Sequence, residues 1–249
     1  MKKILISEFE HTLYKKNKLD LSNIKSINAF QNNQGVFGVY TDYNINRVNK
    51  ILSKNKDKVN YDFIIGCHGA IIKTKTGQEI SKIDPFVVDD IVKESEKYKN
   101  KIKYIYPDEE FKTSILQFHV KQFLKMSQVK DNNQVCMLTI KLNNIYKAKE
   151  LYEKLQNKYA NNIKIVKEDK TISITNNDAT INKALKKLKE QYQTEKVYTV
   201  SRAITNYDIN KNYTNFVLYN NNRINSELAD YTVNSIDKVI EIIEQEKWK

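Results

Sequence analysis

Residues 6–14, Ile-Ser-Glu-Phe-Glu-His-Thr-Leu-Tyr, set two carboxylates two positions apart directly behind the apolar run Ile4–Ile6. Glu8 and Glu10 so placed could act as nucleophile and general acid or base, provided their geometry and pKa values match a reacting group. His11 beside them could shuttle a proton near neutrality. The competing reading is that all three are polar side chains at the place where a buried strand stops. Thr12 and Thr41 could bind an anion through their hydroxyls, or could serve as ordinary turn and strand-end hydroxyls. Cys67 and Cys136 are isolated, fit no metal or redox spacing, and read as reduced structural thiols.

Groups this far apart in sequence can meet only if regular elements carry them to one place. Lys3–Ile6 reads as a short buried strand. Leu21–Asn33 reads as a helix, with Ile24, Ile27 and Phe30 on one face and Ser22 as N-cap. Gly35 breaks it, Val36–Thr41 is a second strand, Asn44–Asn55 a second helix, and Asp62–Gly66 a third strand. A hairpin around Gly77 follows. Strand and helix alternating with short connections predict a parallel α/β sheet.

From about Asp84 the rhythm changes. Pro85 precedes a helix over Val87–Tyr98, and Ile145–Tyr159 is amphipathic, with Ala148, Leu151, Tyr152 and Leu155 on one face. The remaining segments of this stretch read as strands. Tyr98, Tyr104, Tyr106, Phe111, Phe118 and Phe123 make it aromatic-rich, which fits a core or a binding surface. The last third returns to α/β, with helices over Ile181–Tyr192, Ser226–Asp230 and Ile236–Glu246 and strands over Val197–Val200 and residues 214–220. The expected organisation is an α/β core from both ends of the chain, residues 1–82 and 175–249. An α+β domain over 83–174 interrupts it.

The bulk numbers exclude several classes. With 249 residues and 40% hydrophobic content the chain can bury a real core. No apolar run approaches a membrane span or a signal peptide, so a cytoplasmic protein is expected. The net charge of +12 invites a nucleic-acid partner, yet Arg47, Arg202 and Arg223 are the only arginines. Base and phosphate readers favour the bidentate guanidinium. The abundance of Lys, Asn, Ile and Tyr, residues with A/T-rich codons, accounts for much of the charge, so nucleic acid is disfavoured.

The order of segments resembles the haloacid dehalogenase (HAD) superfamily, specifically Cof-type phosphatases with a large inserted C2-type cap. Family members open with a strand and Asp-x-Asp-Gly-Thr-Leu; Glu8, Phe9, Glu10, His11, Thr12 and Leu13 lie in register with it. A second strand ends in Thr or Ser, here Thr41. Ile65–Ile72 matches an Ile-x-x-Asn-Gly-Ala-x-Ile stretch, with His68 where the family has Asn. Residues 220–235 are similar to a segment that ends in Ala-Asp-Tyr-Val-Thr. The resemblance implies a Rossmann-like parallel-sheet core with an inserted α+β cap, and a small phosphorylated ligand in the cleft between them.

The departures point away from the family's chemistry. Its first Asp is the nucleophile and its second the general acid and base, and both are Glu here. One methylene moves a carboxylate by about 1.5 Å, and a misplacement of about 1 Å can already cost about a hundredfold in rate. The family's phosphate-binding Lys falls at Ile181, with Lys183 two residues off. Its magnesium-holding segment falls on Ser201, Arg202, Thr205 and Asn206, where a guanidinium opposes a divalent ion. Asp42 and Asp208 are nearby acids off the motif positions, and His119 reads as cap surface.

The expectation is therefore a HAD-like hydrolase homologue with degenerate catalytic positions Glu8 and Glu10, and phosphate-binding residues Thr12 and Thr41. Arg202 and Asn206 are its degenerate metal positions. It needs no cofactor and serves as a ligand-binding or regulatory protein. The alternative is an active phosphatase on a sugar phosphate or other small phosphoester, using Mg²⁺.

Overall fold

The computed structural model describes residues 2–15, 18–20, 22–42, 44–54, 60–98, 100–107, 110–114, 134–202, 213–219 and 229–246. The described chain divides into two units. The first comprises Met1–Tyr43, Arg47–Gln78 and Thr180–Lys249, and the second comprises Asn44–Asn46 and Glu79–Ala179.

Strands that are apolar without alternation must be covered on both faces, and the first unit is built around such strands. They are β1 (Lys3–Glu8), β4 (Gly35–Tyr40), β5 (Phe63–Gly66), β13 (Val197–Ser201) and β14 (Thr214–Leu218), each almost wholly buried. With β6 (Ile71–Thr74), β7 (Gln78–Ile80) and β15 (Tyr231–Val233) they form one sheet in the order β15-β14-β13-β1-β4-β5-β6-β7. From β15 to β5 the pairing is parallel, and β6 returns antiparallel on β5. The short hairpin β2 (Tyr14–Lys15) and β3 (Lys18–Leu19) follows β1.

Helix α5 (Ile181–Tyr192) buries Ile181, Ala184, Leu185 and Leu188 with Ile4, Ile6, Phe63 and Ile65 of the sheet. Helix α1 (Ile24–Asn32) packs on β4 and on α6 (Ile236–Gln245), while α2 (Ile45–Ser53) joins β4 to β5. The N-cap position of α1 is Asn23 rather than Ser22. The Ser22 hydroxyl donates instead to Asp20 Oδ1 at 2.6 Å, where a charged acceptor makes the stronger bond. Buried Lys3 is satisfied at the other end of the sheet. Its ammonium donates to the carbonyl oxygen of Ile243, in the last turn of α6, where the helix dipole favours a cation.

β1 lies at the centre of this sheet. The chain proceeds from it to β4 and β5 on one side and later to β13, β14 and β15 on the other. The C-terminal end of β1 is thus the point where strand order reverses, the place at which open α/β sheets hold ligands.

The second unit is an antiparallel sheet in the order β11-β12-β10-β8-β9, formed by β8 (Asn100–Ile105), β9 (Glu110–Ser114), β10 (Met137–Leu142), β11 (Ile163–Glu168) and β12 (Thr171–Asn176). Alternate strand residues Ile102, Tyr104, Leu138, Ile140, Ile172 and Ile174 join one core with α3 (Pro85–Glu96) and α4 (Ile145–Tyr159). Asp84 caps α3 by accepting from the N–H of Phe86 at 2.8 Å, with Pro85 in the first turn where its missing N–H costs nothing. Tyr98, Tyr104 and Tyr106 serve this core. The side chains of Phe111, Phe118 and Phe123 lie outside the described residues, as does most of the Ser226–Asp230 segment. Among the described residues no helix is long and apolar enough to cross a membrane.

Candidate functional site

The parallel register fixes what surrounds the end of β1. Ser7 pairs with Val39 and Val200, and Glu8 pairs with Tyr40. The next residues of the flanking strands are therefore Thr41 and Asp42 on one side and Ser201 and Arg202 on the other. Phe9 continues the ladder by donating its N–H to Tyr40 O at 2.8 Å. Its side chain is fully buried and stacks on Tyr14 at 5.4 Å between ring centroids, which anchors the loop.

That loop is a tight turn. His11 donates its N–H to Tyr14 O at 3.0 Å, and Tyr14 donates to Phe9 O at 2.8 Å. His11 adopts the left-handed conformation, φ 67°, and is exposed. It occupies the place of the glycine in the resemblance. Thr12 is completely buried. Its hydroxyl donates to Glu8 O and lies 2.9 Å from Ser7 Oγ, so it closes the turn onto the strand.

Each acid has one oxygen held by a donor. Glu8 Oε2 accepts from the backbone N–H of Arg202 at 2.9 Å. The contact comes from the backbone because β13 ends at Ser201 and aims the next N–H across the strand end, whereas the guanidinium acts on Glu8 through space. Glu10 Oε1 accepts from the Thr41 hydroxyl. The Glu10 carboxyl also accepts from its own backbone N–H.

Burial is the main influence on both acids. It pushes Glu8 up to about 8 against the bond from Arg202, with Glu10 and Asp42 raising it further. It pushes Glu10 up to about 7, against the Thr41 bond and the Arg47 charge. Tyr40, buried and bonded to Ser201, is likewise held well above its usual value. Sequence reading did not single out Tyr40 or Arg47 as site residues. The signal for Tyr40 was its place directly before Thr41, whereas nothing local marked Arg47.

A second feature lies beside Thr41, whose N–H donates to Ile65 O at 2.9 Å at the end of β5. The chain then passes through three residues with positive φ, Cys67 (52°), His68 (55°) and Gly69 (103°). For side chains with a Cβ such conformations cost on the order of 1–3 kcal/mol each and persist only where the surroundings impose them. A Cβ on Gly69 would sit 2.6 Å from the backbone of Thr180, which caps α5 through the N–H of Lys183. The turn places His68 Nδ1 2.9 Å from Asp42 Oδ1. Behind it Ile181 is buried, while Lys183 points to the exposed face of α5.

Glu8, Glu10, Thr12, Thr41 and Arg202 are thus gathered at one strand end, with Asp42 and His68 added. Thr205, Asn206, Asp208 and His119 lie outside the described residues. A magnesium ion takes about six oxygens in octahedral geometry. Among the described residues no group of three or more His, Cys, Asp or Glu side chains is disposed to hold a metal. Arg202, a permanent cation, acts on Glu8 through space, and one oxygen of each acid already accepts a hydrogen bond.

No family model matches the chain, and no curated protein is similar to it in sequence. Solved structures share its fold at low identity. A haloacid dehalogenase-like hydrolase from Bacteroides thetaiotaomicron superposes with TM-score 0.77 at 14% identity, over 98% of this chain and 100% of the other. A phosphatase of the haloalkanoate superfamily from the same organism gives 0.77 at 12%, over 98% and 96%. A HAD subclass IIB sugar phosphatase gives 0.73 at 13%, over 97% and 99%. The chain has the haloacid dehalogenase-like fold, a parallel α/β core with an inserted α+β unit.

Proposed function

We propose that this chain, folded as a haloacid dehalogenase-like phosphatase, is a pseudoenzyme of the Cof type. It binds a small phosphorylated ligand at the end of β1 without hydrolysing it, in a regulatory role that needs no metal. The observation that carries this reading is the state of Glu8. Its side chain is one methylene longer than the aspartate of the family motif, and one of its oxygens is held by Arg202 N–H. Burial keeps most of it protonated at neutral pH. A neutral acid is a poor nucleophile, and phosphoryl transfer draws most of its acceleration from positioned charge and metal. Thr41 remains at the strand end to contact an anion, while Thr12 shapes the loop around it.

The competing reading is an active Mg²⁺-dependent phosphatase with Glu8 as nucleophile. The likeness to a sugar phosphatase favours it, together with the retention of two acids at the motif positions.

Metal binding separates the two. Calorimetric titration of the unmodified protein with Mg²⁺ should give no saturable heat at millimolar ion. The combined variant Glu8→Asp, Glu10→Asp, Arg202→Asp and Asn206→Asp should gain a Mg²⁺ site with a Kd at least about tenfold tighter, as expected where carboxylates replace a cation around a hard ion. Saturable Mg²⁺ binding by the unmodified protein, lost in Glu8→Ala, would overturn the pseudoenzyme reading.

A further inference from the structure

The ends of β1, β4 and β5 lie side by side, and side chains tie them together where the ladder stops. Thr41 N–H donates to Ile65 O at 2.9 Å, one residue past the last paired positions, Tyr40 and Ile65. Beyond it, Thr41 gives its hydroxyl to Glu10 on the β1 side, and Asp42 meets His68 on the β5 side. His68 belongs to a costly turn. Cys67 and His68 carry a Cβ at φ 52° and 55°, ahead of Gly69 at 103°. Such backbone persists only where contacts impose it. The Thr180 backbone bears on the turn at Gly69, and Asp42 engages it at His68.

The chemistry open to position 68 is narrow. Its backbone is left-handed, φ 55° and ψ 24°, a region that histidine and asparagine enter more readily than most residues with a Cβ. An ionised carboxylate only accepts, so the proton is assigned to His68 Nδ1, which donates to Asp42 Oδ1 at 2.9 Å. A charged acceptor makes this bond stronger than one between neutral groups. An imidazole Nδ1 and an asparagine Nδ2 both stand one bond beyond Cγ, so either can reach Asp42 from the same backbone. Alanine has no donor to offer.

We propose that His68 and Asp42 form a latch, in which the Nδ1–H donor of residue 68 holds the strained Cys67–Gly69 turn shut and keeps the ends of β4 and β5 closed. Asp42 directly follows Thr41, so the latch also steadies the hydroxyl that Glu10 accepts from. Without the bond the turn relaxes, and this strand end opens as a local unit while the centre of the sheet stays folded. The latch works through the donor rather than the bulk of the ring, and it does not depend on what the strand end binds.

Amide hydrogen exchange of the full chain reads the latch directly. Thr41 N–H, bonded to Ile65 O, and Ala70 N–H, bonded to Cys67 O at 3.0 Å, report on the strand end, and the β13 amides report on the rest of the sheet. Asp42→Ala leaves the turn's own residues in place, and its side chain is 47% exposed, so this variant decides even if His68→Ala fails to fold. It should speed exchange at Thr41 and Ala70 by about tenfold or more, the effect of losing a hydrogen bond to a charged group, with β13 unchanged. His68→Ala should match it, and the double variant should add little, because the two side chains share one bond. His68→Asn keeps the donor and should stay within about threefold of the parent. Unaltered exchange in Asp42→Ala would overturn the latch. Exchange as fast in His68→Asn as in His68→Ala would assign the effect to the ring and also overturn it. Equal acceleration of the β13 amides would make the contact a part of global stability, with no local opening, and would overturn it too.

Discussion

Glu8→Gln is expected to raise the free energy of unfolding at pH 9 by on the order of 5 kcal/mol, and to change it little at pH 4. In the folded chain burial pushes the Glu8 carboxyl from 4.5 up to about 8. The unfolded chain releases its proton near the ordinary value, so between these limits the folded state holds more protons. The stability associated with the neutral acid is fully present below about pH 4.5. It is lost progressively as pH rises to about 8, at about 1.4 kcal/mol for each unit of separation. Glutamine keeps the acceptor that meets Arg202 N–H and has no proton to lose. Urea unfolding at pH 4, 6.5 and 9 would measure the difference. A stability that rises with pH in the unmodified protein, unaltered by the substitution, would place the Glu8 carboxylate in a favourable charged environment and contradict the account of the site.

Gly69→Val should destabilise the protein by about 3–5 kcal/mol, the sum of backbone strain and forced displacement. At φ 103° a β-branched residue is in a region that side chains with a Cβ rarely adopt. Its Cβ would also lie 2.6–2.8 Å from the carbonyl carbon, nitrogen and oxygen of Thr180, which are backbone atoms and cannot swing aside. Thr180 starts α5, so relief of the clash moves a helix that buries four residues against the sheet. Gly77 provides the internal comparison: nothing lies within 4 Å of a Cβ there, and Gly77→Ala should stay within about 0.5 kcal/mol of the parent. Thermal and urea unfolding of both variants tests the pair. Equal effects would mean that the Cys67–Gly69 turn is not locked against α5.

The fold was legible wherever burial and periodicity agree. Val197–Val200, Val-Tyr-Thr-Val, is made of β-branched and aromatic residues that favour strands, and β13 is found there. Ile181–Tyr192 has apolar residues at helical spacing behind a threonine cap, and α5 matches it residue for residue. The hairpin of β2 and β3 left no trace, because two-residue strands carry no period. Ser22 and Asn23 are both good cap residues by type, yet Ser22 engages Asp20 and Asn23, at the N-cap position, makes no side-chain capping bond.

The site was legible only as a set of positions. Register with a familiar motif placed Glu8, Glu10, Thr12 and Thr41 together, but what each touches depends on partners 31 to 194 residues away. Thr12 turns its hydroxyl into the loop, Arg202 offers its backbone to Glu8, and Asp42 meets His68. Such contacts follow from strand order and turn geometry, which composition and spacing do not encode.

The central claim is that the two glutamates have kept the position of a phosphatase's acids without their chemistry. The most direct measurement is turnover of a panel of sugar phosphates and aryl phosphates by the unmodified protein, with and without Mg²⁺, beside Glu8→Ala. The account predicts release of phosphate at the background rate in every case, identical for the two proteins. Mg²⁺-dependent turnover that disappears in Glu8→Ala would contradict it and make Glu8 a working nucleophile.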